Sequence, residues 1–309
     1  MNAYLFGALY RGSTIMKKIE FDILSSIAEK QTMGPGKGIF GYLDEDLIAA
    51  REELQRSGFI NENGITPLGI DALEPYRVKR AVFLAAGFGS RMVPITINTP
   101  KPLVRVHGKR IIETLIDAVL EAGIEEIYIV RGYLGEQFEL LQKKYPMIRL
   151  IENPDYDGTG TISSFFYARN LLAHAYVMES DLVVSNPKII HRYHYTSDFM
   201  GTKVDQTDDW FLKTNENGTI TEIGIGGEGE NCYKLIGISY WDGRDGQELA
   251  HDIKEAYEGP EGHKLPMSYV PLRVYREKYK INIMPCSASD VIEIDSFLEL
   301  QKYDDAYKV

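Results

Sequence analysis

Cysteine is scarce in this chain: Cys232 and Cys286 are the only two among 309 residues. Two cysteines are too few for a disulfide framework or a cysteine-based metal centre, so we expect a reduced, cytoplasmic protein. The sequence also lacks the run of ~20 apolar residues that a membrane-spanning helix requires. Residues 1–15 lack the positive start and small-residue cleavage site of a secretory signal, and we interpret them as a leader.

An excess of positive charge is missing as well. The 34 Lys and Arg residues face 45 Asp and Glu residues, which gives a formal net charge of -11. This balance argues against a protein that coats nucleic acid or an anionic membrane. An acidic chain that binds a phosphorylated ligand must concentrate its cations locally, so a local cluster of Lys and Arg is informative here.

Residues 1–78 form the first predicted domain. Apolar residues at helical spacing predict two helices, around residues 19–27 and 47–54. An Asn-Gly turn at residues 61–64, between two short apolar stretches, predicts a β-hairpin. Helices followed by such a hairpin predict a small winged helix-turn-helix domain, and the order resembles that of bacterial winged-helix regulators.

This first domain is acidic where a DNA-binding domain needs cations. It contains 8 Lys and Arg against 11 Asp and Glu, and its second helix opens with Asp44, Glu45 and Asp46, which would repel phosphates. We therefore interpret it as a docking or homodimerisation module and do not expect it to bind nucleic acid. A transcription regulator that uses the rest of the chain as a ligand sensor is the alternative.

Residues 79–309 form the second predicted domain, in which strands alternate with helices. Short apolar strands at residues 81–85, 127–130 and 175–178 are separated by amphipathic helices such as residues 111–122. This alternation predicts an α/β fold with a mostly parallel, Rossmann-like sheet whose ligands bind at the carboxyl ends of the strands. Beyond about residue 200 the pattern becomes antiparallel, and we expect these strands to form a lid over the parallel sheet.

A glycine-rich loop directly follows the first of these strands, with Gly87 and Gly89 at its centre. Glycines at this position let backbone N–H groups point at phosphate oxygens. The loop is not a dinucleotide fingerprint, because Met92 stands where that motif has its third glycine. It is not a P-loop either, because the Gly-Lys-Ser/Thr ending of that motif is missing. Arg91 suits the β and γ phosphates of a nucleoside triphosphate, and Lys101 suits the reacting α phosphate.

The stretch Leu-Ala-Ala-Gly-x-Gly-Ser-Arg-Met-x-Pro-x-Thr at residues 84–96 and Thr-Pro-Lys-Pro-Leu at residues 99–103 resemble the signature of the glycosyltransferase-A-like (GT-A-like) nucleotidyltransferases. Within them, the chain is most similar to the bacterial CTP:phosphocholine cytidylyltransferases, over about residues 80–302. Further motifs carry this resemblance: Arg131–Phe138, Glu179–Asp181, Asp209–Leu212, Ile236–Asp242 and Glu293–Ser296.

The resemblance implies transfer of CMP from CTP to phosphocholine or a similar small phosphorylated amine, with Mg²⁺ as cofactor and Arg91 and Lys101 as catalytic residues. It implies that Asp181 and Asp295 hold the metal. From the residues alone, each Asp follows an apolar strand, but either could instead cap a helix. The nucleotide-binding residues that it implies are Leu84, Ala85, Ala86, Gly87, Gly89, Ser90, Gly132, Tyr133 and Ser164.

The acceptor is expected to be a phosphomonoester whose oxygen attacks the α phosphate without a general base, and none of the six histidines lies in a suggestive motif. The quaternary ammonium of choline is typically held by aromatic faces. The expected acceptor-binding residues are Asp209, Trp210, Tyr240, Trp241 and Tyr269, with Asp242 as an alternative carboxylate. That these aromatics are instead the core of the lid is equally compatible with the sequence alone; the resemblance favours a cage.

Two departures from the family pattern leave alternatives open. An acidic, aromatic-rich stretch is replaced at residues 264–271, which makes 2-aminoethylphosphonate or phosphoethanolamine an alternative acceptor. Paired asparagines are replaced at residues 158–161, where the base is expected to be recognised, so CTP is favoured but not established by the sequence. A sugar-1-phosphate nucleotidyltransferase is a further alternative.

Overall fold

The computed structural model describes residues 16–29 and 41–308 of the chain, so the leader interpreted at residues 1–15 lies outside the described residues. The chain divides into two compact units, with the boundary between Arg77 and Val78, one residue before the boundary expected from the sequence. None of the helices in the described ranges combines the length and the apolar character that crossing a membrane requires.

The N-terminal unit contains the helices and the hairpin that the sequence predicts. Helices α1 (Lys18–Ala28) and α2 (Asp44–Arg56) precede the antiparallel strands β1 (Ile60–Asn61) and β2 (Gly64–Ile65), and helix α3 (Pro67–Leu73) follows. The start of α3 is set locally, because the hydroxyl of Thr66 accepts the N–H of Gly69 at 3.2 Å and Pro67 occupies the first helical position. The assignment of this unit to the winged-helix class stays a prediction.

The C-terminal unit alternates strands with helices. Its helices in the described residues are α4 (Ile111–Glu121), α5 (Glu139–Lys144), α6 (Ile162–Ala168), α7 (Gly243–Glu258) and α8 (Phe297–Tyr303). Its strands are β3 (Arg80–Ala85), β4 (Arg105–Val106), β5 (Lys109–Arg110), β6 (Glu126–Arg131), β7 (Ile148–Glu152), β8 (Ala175–Glu179), β9 (Leu182–Val184), β10 (Asp198–Lys203), β11 (Gln206–Thr214), β12 (Ile220–Glu228), β13 (Cys232–Trp241), β14 (Asn282–Cys286) and β15 (Val291–Glu293).

One large sheet organises this unit, in the order β12-β11-β13-β8-β3-β6-β7, and β10 pairs with β13 while β14 pairs with β10. Strands β8, β3, β6 and β7 are parallel, which confirms the predicted α/β class. Strand β13 then pairs antiparallel with β8, and β11 pairs antiparallel with β13. The antiparallel strands therefore extend the same sheet and do not form a separate layer over it.

Both faces of the parallel strands are covered by apolar residues. Along β3, Phe83 lies in the core cluster that contains Ile116 of α4, whereas Val82 lies in the cluster on the other face, which contains Phe165 of α6. All four side chains are at most 1% exposed. Because neither face is open, a ligand can reach the sheet only at the ends of its strands, as expected for parallel sheets.

Candidate active site

A cavity of about 440 Å³ lies at the carboxyl ends of β3 and β8. It is lined by most of the residues that the sequence singles out for nucleotide, metal and acceptor: Leu84, Ala85, Ala86, Gly87, Gly89, Arg91, Lys101, Ser164, Asp181, Asp209, Trp210 and Asp295. The structure thus brings together residues spread over more than 200 positions of the chain. Six predicted site residues do not line the cavity: Ser90, Gly132, Tyr133, Tyr240, Trp241 and Tyr269.

The glycine loop packs tightly against Lys101. Gly89 has a φ of 68°, in the left-handed region that side chains disfavour, and a Cβ added to it would lie 3.0 Å from the Cβ of Lys101. The hydroxyl of Thr96 donates to the carbonyl of Gly89 at 3.0 Å. Glycine at position 89 is therefore required both by the turn and by the close approach of the lysine.

Tyr133 and Gly132 do not line the cavity but contact residues that lie in or next to its lining. The N–H of Tyr133 donates to the carbonyl of Ala86 at 3.0 Å, and its hydroxyl donates to the carbonyl of Ile97 at 2.8 Å. A Cβ on Gly132 would lie 2.6 Å from the side chain of Tyr156, a cavity-lining residue. Tyr133 thus holds the glycine-rich loop in place, and glycine at position 132 leaves room for the ring of Tyr156. Ser90 is exposed and does not line the cavity.

Lys101 is the centre of the charged part of the site. Its Nζ lies 2.8 Å from Oδ2 of Asp181 and 2.8 Å from Oδ1 of Asp295, and Nη2 of Arg91 lies 2.9 Å from the same oxygen of Asp295. Lys101 is only 8% exposed. Burial opposes its charge, but the carboxylates, Asp181 foremost, outweigh burial and raise the pKa of Lys101 above its usual value. This lysine therefore stays charged.

The two aspartates meet because of a small secondary sheet. Strand β9 directly follows Asp181, and it pairs antiparallel with β15, which directly precedes the turn containing Asp295. The alternative role of Asp295 as a helix cap is wrong, because Ser296 caps α8 by accepting the N–H of Glu299 at 3.2 Å. Asp181 is not a cap of any described helix either, since it lies in the turn between β8 and β9.

Two further carboxylates, which sequence reasoning did not assign, join this group. One oxygen each of Glu179, Asp181 and Glu293 can be chosen so that all three lie within 4.8 Å of one another. Burial and then repulsion from Asp181 raise the pKa of Glu293 to about 7, and the same two causes raise the pKa of Glu179. One sign of them is visible in the sequence, since a glutamate stands two positions before each of the two aspartates.

This group fits a hard divalent cation. Its donors are all carboxylate oxygens, the ligand type that Mg²⁺ prefers. Oδ1 of Asp181 is buried and has no hydrogen-bond partner, although a buried polar atom is normally paired. The backbone oxygen of Asp181, by contrast, already has a partner, because it accepts the N–H of Ile294 at 3.2 Å. The orphaned oxygen is therefore a side-chain atom available to a ligand.

A buried hydroxyl pair lies at another part of the cavity. Nδ2 of Asn153 donates to Oγ of Ser163 and to Oγ of Ser164, each at 3.0 Å. All three residues are at most 6% exposed, and all three line the cavity. The sequence singled out Ser164 for the nucleotide; Asn153, which fixes the orientation of its hydroxyl, was missed.

The acceptor candidates separate into two groups. Asp209 and Trp210 line the cavity, and Oδ2 of Asp209 lies 2.9 Å from Nζ of Lys234, which is also 3.6 Å from a carboxylate oxygen of Glu293. Tyr269 does not itself line the cavity, but its ring contacts that of Trp210 edge-on, with centroids 5.3 Å apart. Lys234 was not predicted, and it links the acceptor candidates to the carboxylate group.

The prediction that Tyr240 and Trp241 bind the acceptor is wrong. Both are fully buried: Tyr240 stacks on His194, with centroids 4.2 Å apart, and Trp241 lies edge-on to Phe199 at 5.7 Å. The register of β13 explains this, since Trp241 pairs with Ala175 at the amino end of β8 and the cavity lies at the carboxyl end of that strand.

The alternative carboxylate, Asp242, is committed to local structure. Its side chain accepts the N–H groups of Arg244 and Asp245 at 2.9 and 2.8 Å and so caps α7. It does not line the cavity. Asp209 is thus the remaining acidic residue of the predicted acceptor group.

Comparison with known proteins agrees with this geometry. Residues 81–197 match the family model of the MobA-like NTP transferase domain. The 2-aminoethylphosphonate cytidylyltransferase of Lancefieldella rimae is 36% identical over 230 residues, which cover 74% of this chain and 92% of that protein. The choline-phosphate cytidylyltransferase of Streptococcus pneumoniae is 30% identical over 235 residues, which cover 74% of this chain and 98% of that protein.

Solved structures give the same result. The CTP:phosphocholine cytidylyltransferase from Streptococcus pneumoniae has a TM-score of 0.68 at 30% identity and covers 75% of this chain and 100% of that chain. The structure of a putative glucose-1-phosphate thymidylyltransferase from Bacillus anthracis, at 18% identity and a TM-score of 0.59, shares the fold alone. Because nearly the whole length of the cytidylyltransferases is matched, this chain belongs to the family of bacterial cytidylyltransferases and is a nucleotidyltransferase.

Proposed function

We propose that this chain transfers CMP from CTP to 2-aminoethylphosphonate and releases pyrophosphate. We choose this acceptor over phosphocholine because Tyr240 and Trp241 are buried. Without them, the predicted aromatic set around the cavity is reduced to Trp210, backed by Tyr269. A quaternary ammonium is best held by several aromatic faces, whereas a primary ammonium donates hydrogen bonds to carboxylates. Asp209, which lines the cavity, favours the primary amine.

The relationship to the Lancefieldella protein, at 36% identity, supports the same acceptor. Phosphocholine, which the sequence analysis put first, is the second candidate acceptor, because the Streptococcus relative named for it is 30% identical. The exposed part of the Trp210 ring is the surface that a trimethylammonium group would use. The two acceptors differ in the amine and in the phosphonate or phosphate group, and their kcat/KM values can be compared under the same conditions.

The reaction requires little covalent chemistry from the protein. An oxygen of the phosphonate attacks the α phosphorus of CTP, the new P–O bond forms, and the bond from the α phosphorus to the bridging oxygen breaks as pyrophosphate leaves. A phosphonate oxygen is nucleophilic at neutral pH, so no general base is required. The work of the site is positioning and charge neutralisation, for which Lys101 and Arg91 are placed beside the carboxylates.

Asp181 is the residue that we propose as the main ligand of Mg²⁺, with Glu179 and Glu293 as further ligands. Asp295 lies outside this group of three and contacts Lys101 and Arg91, and we propose that it completes the site from their side. When bound, the ion supplies positive charge at the phosphates of CTP, where negative charge develops on the leaving pyrophosphate. Lys101, which lies between the two aspartates, keeps their carboxylates oriented and offsets part of their charge. The buried hydroxyls of Ser163 and Ser164 are our candidates for recognition of the base.

Pyrophosphate release tests the proposal. CTP, UTP and ATP are each combined with 2-aminoethylphosphonate, phosphocholine, phosphoethanolamine and glucose 1-phosphate, with and without Mg²⁺. We expect the highest kcat/KM with CTP and 2-aminoethylphosphonate, and no release without the metal. A higher kcat/KM with phosphocholine would replace the proposed acceptor by the second candidate, and turnover with glucose 1-phosphate alone would overturn the proposal.

For the N-terminal unit we propose docking or self-association in the cytoplasm. Helix α2 opens with three acidic residues, Asp44, Glu45 and Asp46, all of them exposed, and phosphates would be repelled there. Light scattering of the full chain should give the mass of a dimer, and a gel shift at low salt should show no DNA binding with or without CTP. A monomer would contradict the first expectation, and a CTP-dependent shift the second.

A further inference from the structure

Two segments that the sequence analysis singled out as departures lie directly against each other. We call residues 158–161 the glycine–threonine loop and residues 263–268 the wall segment. The N–H of Gly160 donates to the carbonyl of His263 at 2.6 Å. The N–H of Met267 donates to the hydroxyl of Thr161 at 2.9 Å. The two segments are therefore held together at both ends of their contact.

Gly160 is required by the closeness of this contact. A Cβ added to it would lie 2.6 Å from the carbonyl oxygen of Leu265 and 2.9 Å from that of Lys264. Both obstacles are backbone atoms, which cannot rotate away as the end of a long side chain can. A side chain at position 160 must consequently push the wall segment away from the loop.

The glycine–threonine loop is itself anchored. The hydroxyl of Thr159 donates to the backbone carbonyl of Asp155. The carboxylate of Asp155 accepts the hydroxyls of Tyr167 and Tyr257, each at 2.7 Å. Tyr167 belongs to α6 and Tyr257 to α7, so the segment that leads into the loop is tied to two helices.

The wall segment and the glycine–threonine loop line the same cavity. Pro266, Met267 and Ser268 belong to this lining, and the next residue, Tyr269, contacts the ring of Trp210. The loop, whose residues 159–161 also line the cavity, leads into α6, which carries the hydroxyl of Ser164. A displacement of the wall segment therefore changes the space beside Trp210, on the acceptor side.

We propose that Gly160 is a specificity-determining residue that acts through the wall segment. Its missing side chain lets residues 263–268 close on the acceptor side, and this limits the size of the ammonium group that the cavity accepts. A primary ammonium fits within the limit, and a trimethylammonium group exceeds it. This inference rests on the proposed cytidylyltransferase reaction with a small amine acceptor, and it adds the residue that sets the preference.

The test is the acceptor preference of the full-length Gly160→Ala variant, measured as the ratio of kcat/KM for 2-aminoethylphosphonate to that for phosphocholine. We expect the ratio to shift by about tenfold towards phosphocholine, the size of effect typical of one methyl group in a pocket. Gly259→Ala is the matched control, since it adds the same methyl group before the wall segment and outside the cavity, at a φ of -76°.

A second variant covers the case in which Gly160→Ala does not fold. Thr161→Val keeps the shape of the side chain and removes only the hydroxyl that holds Met267. It should shift the ratio in the same direction. An unchanged ratio in the folded variants would overturn the inference and leave the proposed function standing. Absence of turnover by the wild type with CTP and both acceptors would overturn the proposed function itself.

Discussion

Lys101 and Asp181 are separated by 80 residues in the sequence, yet Nζ of Lys101 lies 2.8 Å from Oδ2 of Asp181. The lysine comes from the segment that follows the glycine loop, and the aspartate from the turn after β8. Their contact joins the segment after the glycine-rich loop to the carboxylates. We therefore expect the charge of either residue to affect both the proposed nucleotide binding and the proposed metal binding.

Replacing Lys101 with alanine should lower kcat/KM with CTP by about a hundredfold or more, because a buried cation beside the reacting phosphate is lost. Steady-state pyrophosphate release measures this. Lys109→Ala is the matched control, since Lys109 pairs with Asp117 on the surface and both side chains are 43% exposed. Undiminished turnover in Lys101→Ala would remove this residue from the catalytic assignment.

Replacing Asp181 with asparagine should raise the Mg²⁺ concentration needed for half-maximal activity by about tenfold or more, because the orphaned buried oxygen loses its charge. Glu293→Gln should have a smaller effect in the same direction. A Mg²⁺ titration of pyrophosphate release gives both values, with the surface variant Glu258→Gln as control. Equal Mg²⁺ requirements in Asp181→Asn and wild type would contradict the proposed ligand.

Stabilisation by Mg²⁺ should increase with pH. The pKa of Glu293 is raised from its ordinary value of 4.5 to about 7 by burial and by repulsion from Asp181 and Asp295. Between these two pH values the folded state keeps a proton that the unfolded state has lost, so the metal-free protein loses stability as the pH rises. A cation must displace that proton below pH 7 and has no proton to displace above it.

Thermal unfolding with and without Mg²⁺ checks this expectation. The Mg²⁺-induced rise in Tm should be larger at pH 8 than at pH 6, and Glu293→Gln should reduce the difference. A rise in Tm that is the same at both pH values would show that Glu293 does not titrate with metal binding.

The two tryptophans should behave differently. Trp210→Ala should raise the KM for the acceptor with little change in Tm, since Trp210 lines the cavity. Trp241→Phe should lower the stability by about 2 kcal/mol and leave the KM unchanged, because its fully buried side chain leaves a void. Acceptor kinetics and thermal unfolding separate the two effects. A raised KM for the acceptor in Trp241→Phe would show that Trp241 takes part in acceptor binding after all.

Much of the nucleotide side of the site was predictable from the sequence. Gly89, Arg91 and Lys101 lie within one short stretch, so local spacing alone places them together. Asp181 and Asp295 do lie together, since both contact Nζ of Lys101, although the pairing of β9 with β15 that brings them together could not be seen in the sequence. Their assignment to the metal stays a prediction. Glu179 and Glu293 were missed because their importance depends on that pairing.

The acceptor side was less predictable for a physical reason. A motif on a strand does not reveal which end of the strand faces the ligand. Trp210 and Trp241 both lie in motifs of the family, but the register of β13 against β8 places Trp241 at the end remote from the cavity. Contacts such as that of Gly160 with Leu265 join segments about a hundred positions apart and are visible only in the folded chain.

The continuity of the sheet has a consequence for how substrates enter. Strand β13 is paired with β8 over residues 238–241 and with β11 over residues 232–234, so one continuous strand joins the parallel part of the sheet to the antiparallel part. Swinging the antiparallel part outward as a hinged flap would require breaking the ladder between β13 and β8. Access to the cavity must therefore come from small movements of the loops at its rim, so the rate of product release should depend on those loops and not on a domain opening.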